Sequence, residues 1–107
     1  MVSRNIVTFD DNNVIRTMDD ERQETVLWDN LQEVCIATTD EGSFVQDVFW
    51  MLLGSKGGCL VPGDAEGVRE LLSRLQQLPN FDNEVVIRTM GSSTNARFVC
   101  WRRDSAL

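Results

Sequence analysis

The chain has 107 residues, 42% hydrophobic and 25% charged, the size and make-up of one globular domain spanning 1–107. Seventeen acidic side chains against ten basic ones, with Lys56 the single lysine, give a net charge of -7. That balance excludes a surface built to neutralise the phosphates of nucleic acid or of an anionic membrane. The lack of any histidine removes the commonest general base, the Ser-His and Cys-His pairs and most zinc sites.

In chain order, the first half reads as strands punctuated by Asn, Asp and Gly. Residues 6–9 form a first strand, and Asp10, Asp11, Asn12 and Asn13 form its turn. Residues 14–18 form a second, and the polar stretch 19–23 leads to a third at about 24–28. Residues 31–39 place Val34, Ile36 and Thr38 on one face of a strand and Cys35, Ala37 and Thr39 on the other. Residues 45–54 are apolar on both faces, with Val45, Phe49, Met51 and Leu53 opposite Val48, Trp50 and Leu52. Such a strand is expected to be covered on both sides, by the rest of the domain or by a partner chain. Gly54-Ser55-Lys56-Gly57-Gly58 lacks the ending of a phosphate loop and reads as a hairpin turn into a short strand at 59–61.

The hydrophobic period changes after Pro62. Val68, Leu71, Leu72, Leu75 and Leu78 recur with helical spacing, which predicts an amphipathic helix over about 64–78 with Asp64 as cap and Pro79 as stop. A second helix is predicted over 83–90, with Asp82 as cap and Gly91 as terminator. A strand over 96–102 ends the order. The pentapeptide Val14-Ile15-Arg16-Thr17-Met18 recurs as Val86-Ile87-Arg88-Thr89-Met90, with Phe-Asp ahead of both copies. We read the repeat as local convergence; a duplicated hairpin would instead make 83–90 a strand. The expected fold is α+β, with a mainly antiparallel, strongly bent sheet of six to seven strands as a barrel or sandwich and one or two helices.

No opening stretch resembles a signal peptide and the longest apolar run, 48–53, is far too short to span a bilayer. Cys35, Cys59 and Cys100 are odd in number and widely spaced, which suits a reducing cytoplasm better than a disulfide framework. Cys35 and Cys100 read as core residues, whereas Cys59, following two glycines, is the thiol with a chance of exposure.

Three functional readings stand. The leading one is a non-catalytic interaction domain that contacts another protein or a second copy of itself. Its candidate surfaces are Trp50, the edge formed by Trp101 with Arg97, Arg102 and Arg103, and the acidic positions Asp40 and Glu41. Acidity is concentrated there, since residues 1–50 carry a net -8 and residues 51–107 a net +1. The alternative is a small-molecule or divalent-metal site at Asp40, Glu41 and Asp47, with Cys59 as a further ligand, because carboxylates and hydroxyls gather at 38–43. A third is an enzyme with Cys59 as nucleophile.

The segments Trp28-Asp29-Asn30-Leu31-Gln32-Glu33-Val34, Thr38-Thr39-Asp40-Glu41-Gly42, Asp47-Val48-Phe49-Trp50, Leu78-Pro79-Asn80-Phe81-Asp82-Asn83-Glu84 and Phe98-Val99-Cys100-Trp101-Arg102 together resemble a family of small bacterial proteins with no assigned function. The resemblance covers about 5–103 and implies no catalytic residues. More remotely, strands entered at Trp28 and followed by a helix are similar to bacterial pleckstrin-homology-like domains. That likeness implies an interaction module, although the chain continues past the helix and has no basic loop for phosphoinositides.

Overall fold

The computed structural model describes residues 5–39, 47–90 and 96–103. Among these residues, seven antiparallel strands form two sheets that are not closed into a barrel, accompanied by two helices. The first sheet is a meander of β1 (Ile6–Phe9), β2 (Asn13–Thr17) and β3 (Gln23–Leu27). The second contains β4 (Leu31–Thr39), β5 (Asp47–Gly54), β6 (Gly57–Pro62) and β7 (Ala96–Arg102), in the order β6-β5-β4-β7. Helices α1 (Val68–Leu75) and α2 (Asn83–Met90) lie in sequence between β6 and β7.

The β1–β2 turn is built by Asp10, whose Oδ1 accepts from the backbone N–H groups of Asn12 and Asn13 at 2.8 and 2.9 Å. These bonds hold its carboxyl below the usual carboxylate range. The third strand ends one residue earlier than its apolar pattern predicts. Trp28 begins a short 3-10 turn, Trp28–Asn30, that drops its ring into the core, and its Nε1 donates to Asp10 O at 2.7 Å. The chain then enters β4 and changes sheets.

Between the sheets, Val7, Val14 and Val26 meet Val34, Ile36, Trp50, Leu52 and Val61, and Leu71 and Leu75 of α1 join the same core. Helix α1 lies against β1, while α2 lies against β7 and β4. Helix α1 begins four residues later than predicted and ends three earlier, at Leu75, and Asp64 is not its cap. The residues ahead of it are committed elsewhere: Ala65 N–H donates to Pro62 O, and Glu66 forms a parallel bridge with Ile6. The capping position belongs to Gly67, at φ +92. A methyl group there would lie 2.2 Å from Val7 O, so the close approach of α1 to β1 needs glycine on both counts.

Helix α2 has the predicted bounds. Asp82 caps it, with Oδ1 accepting from Glu84 and Val85 N–H at 3.1 and 3.2 Å. The second copy of the repeated pentapeptide is therefore helical where the first is a strand. Where β4 meets β7, the register runs from Val34 opposite Trp101 to Cys35 opposite Val99, which makes Cys100 the extra residue of a bulge.

Candidate functional site

The pleat decides what β5 presents. Trp50 and Leu52 point inward, and both are buried beside Ile36, Val34, Val61 and Cys59. Phe49, Met51 and Leu53 therefore share the opposite, outer face and are half-buried. Reading the register across β6, β5, β4 and β7, that face is a grid of three rows. The middle row is Leu60, Met51, Cys35 and Val99. On one side of it run Pro62, Phe49, Ala37 and Arg97, and on the other Gly58, Leu53, Glu33 and Arg102. Leu60 is one of the most exposed large apolar side chains among the described residues, at 40%. Apolar side chains thus dominate the β5–β6 half of the grid, while its charges collect at the β7 side.

Those charges form a cluster around one carboxylate. Arg102 Nε donates to Glu33 Oε1 at 3.0 Å, and Arg97 Nη2 pairs with Glu33 Oε2. Cys35 Sγ donates to the same Oε2 at 3.0 Å, and Arg97 Nε lies 3.4 Å from that sulfur. Arg97 thus reaches diagonally over Cys35, which is fully buried although it belongs to the outer face. The Cys35 hydrogen bond and the two guanidinium groups lower the Glu33 pKa, and burial and the neighbouring Glu33 raise that of Cys35. Glu33 is consequently an anion and Cys35 a neutral thiol, and two cations sharing one anion leave this corner with a net positive charge on an acidic protein.

The tryptophans singled out from the sequence are not surface groups. Trp50 is 3% exposed, and Trp101, at 7%, donates from Nε1 to Pro79 O at 2.9 Å. Arg103 acts as a clasp, donating from Nε to Leu31 O at 2.7 Å and from Nη2 to Trp28 O at 2.9 Å, with its guanidinium 5.6 Å from the Trp101 ring centroid. Arg97 and Arg102 remain half or more exposed. Asp40 and Glu41 lie outside the described residues, and Asp47 opens β5. Among the described residues no three His, Cys, Asp or Glu side chains are grouped closely enough to hold a metal ion.

Cys59, expected as the more exposed thiol, is buried. Its Sγ donates to Glu24 O at 3.3 Å, and burial pushes its pKa up to about 11. An activated nucleophile needs the opposite shift. Cys100 is likewise buried and pushed up to about 12. None of the described helices is long and apolar enough to cross a membrane.

Sequence reasoning missed Met51, Phe49, Leu53 and Leu60 as the outward set. The signal was present in the doubly apolar run 48–53, but a strand apolar on both faces does not reveal which parity meets the core. Comparison of the chain with protein-family models, curated proteins and solved structures gives no match.

Proposed function

We propose that this is a non-catalytic protein-interaction domain whose contact surface is the outer face of the four-stranded sheet. The observation that carries the reading is the apolar grid centred on Met51 and Leu60, bordered by the exposed guanidinium groups of Arg97 and Arg102. An apolar centre with a polar, arginine-bearing rim is how protein interfaces are built. Three unpaired cysteines, all buried, suit a domain working in a reducing cytoplasm.

The test compares immobilised wild type with the Met51→Glu, Leu60→Glu double variant in the same bacterial lysate. Both positions lie on the outer face, so the variant is expected to keep its far-UV circular dichroism and lose the proteins that wild type retains. Equal retention by the two, or none by either, refutes the assignment of the face.

A further inference from the structure

We propose that the partner of this face is a short acidic segment of another protein, an amphipathic helix whose apolar side packs on the β5–β6 half of the grid and whose carboxylates meet Arg97 and Arg102. The proposal rests on the interaction reading above and names the chemistry of the partner.

Charge selects the sign of the partner. The charged residues of the grid are Glu33, Arg97 and Arg102. Two cations share one anion, so the face has a positive surplus on a chain of net charge -7. Among the described residues, the acceptors of the two guanidinium groups are the Glu33 carboxylate and the Cys35 sulfur, and these engage Nε and Nη2. A guanidinium has further N–H donors on Nη1, and the arginine side chains are 50% and 68% exposed. An arriving carboxylate can therefore accept from either arginine without displacing Glu33. A basic segment would set like charge against both. Screening over about 8 Å at physiological ionic strength lets the charges of the face, rather than the total of the chain, act on what binds beside them.

Shape selects a short element. Both edges of this sheet have ladder groups committed within the chain: on β7, Cys100 O accepts from Asp82 N–H at 2.8 Å, and on β6, Leu60 N–H donates to Glu24 Oε1 at 3.0 Å. Strand addition is thereby discouraged, and the broad face remains. Four strands about 4.8 Å apart and five residues long make a face of roughly 19 by 17 Å, or about 320 Å² before side-chain relief. That is too small for a standard contact between two folded domains. It matches one helix of about 11 residues at a rise of about 1.5 Å each. A helix laid on a sheet is also the ordinary way in which the apolar face of a sheet is covered. Lying along β5, its apolar stripe would rest on Phe49, Met51, Leu53 and Leu60, with the acidic flank of the stripe toward β7.

The test selects peptides of about 12 residues, the length that the face accommodates, from a random phage-displayed library on immobilised full-length protein. Wild type, Met51→Glu and Arg102→Gln are panned in parallel, and all are expected to share one far-UV circular dichroism spectrum. Wild type is expected to enrich peptides that combine Asp or Glu with large apolar residues at helical spacing and to deplete Lys and Arg. The most enriched peptide, synthesised and followed by fluorescence anisotropy, is expected to bind Arg102→Gln roughly three- to five-fold more weakly than wild type, the worth of one exposed charge pair. Arg102→Lys is expected to recover that loss, and added salt to weaken binding to wild type. Enriched peptides that are basic or uncharged, or binding undiminished in Arg102→Gln, would overturn the acidic partner. If Met51→Glu still abolishes the binding of such peptides, the interaction reading stands and only the chemistry of the partner falls. No enrichment on wild type, or the same peptides on Met51→Glu, would overturn both.

Discussion

Raising the pH should destabilise this protein through its thiols. The sequence has no tyrosine, no histidine and one lysine, so few groups other than the three cysteines titrate between pH 8.5 and 11. Burial moves Cys59 from 9.0 to about 11 and Cys100 from 9.0 to about 12, and raises Cys35 as well. In that window the folded chain keeps thiol protons that the unfolded chain has released, so stability falls as pH rises. The contribution is fully present below pH 9 and is lost as pH climbs through the folded values. At pH 10 each of the two most shifted thiols has cost roughly 1 kcal/mol relative to pH 8, about 2 to 3 kcal/mol together, against a total of ~5–15 kcal/mol for a domain. Urea unfolding under a thiol reductant at pH 8, 9 and 10 measures this directly. Cys59→Ala should remove about half of the loss whatever it does to absolute stability. An unfolding free energy that is equal at pH 8 and 10 would refute the reasoning, because it would mean that these thiols ionise in the folded state as freely as in the unfolded one.

Gly67→Ala should be far costlier than its single methyl suggests, since the new Cβ meets Val7 O at 2.2 Å in a left-handed backbone. We expect a loss above ~2 kcal/mol and a melting temperature lower by more than ~8 °C in a thermal scan. Asp82→Ala removes the cap of α2 and should cost ~1 kcal/mol in urea titration, whereas Asp64→Ala, at an exposed position that caps nothing, should change stability by less than ~0.5 kcal/mol. The reverse ordering of those two aspartates would restore the earlier helix start that the sequence pattern suggests. Trp101→Phe leaves Pro79 O without its indole donor and should cost ~1 kcal/mol by the same titration.

Much of the fold was legible where local and tertiary demands agree. Strands β4 and β7 and helix α2 occupy the stretches that alternation and capping predict, because Asp82, the polar turn positions and the apolar period all point the same way. Helix α1 was misplaced at its start because Asp64 satisfies a local capping pattern, while the backbone at 65–67 is engaged by β1. No nearby residue records that tertiary demand except Gly67, whose role needs the position of Val7. The repeated pentapeptide shows the same limit from the other side. Both copies follow an Asp whose Oδ1 accepts from the backbone two and three residues on. Beyond that shared turn, the first copy buries Val14 and pairs Arg16 with Glu24, whereas the second buries Val86 and Thr89 at helical spacing. Identical side chains thus follow whichever surface the rest of the chain offers.

The candidate surface was half legible. Composition and the run 48–53 marked β5 as a strand with something to cover on both sides, but its two faces are equally apolar, and Trp50 drew attention to the one that the core claims. Register, fixed only by pairing with β4 and β6, is what sets Met51 beside Leu60 and brings Arg97 over Cys35. Net charge was a poor guide for the same reason: the chain is acidic as a whole, yet the corner next to the apolar grid is positive.

The most direct measurement of the central claim compares immobilised wild type, Met51→Glu and Ile87→Glu, the last at an exposed position of α2, for the proteins each retains from one bacterial lysate. The account expects Met51→Glu to lose what wild type and Ile87→Glu both keep. Equal retention by Met51→Glu and wild type, or a loss confined to Ile87→Glu, would contradict it.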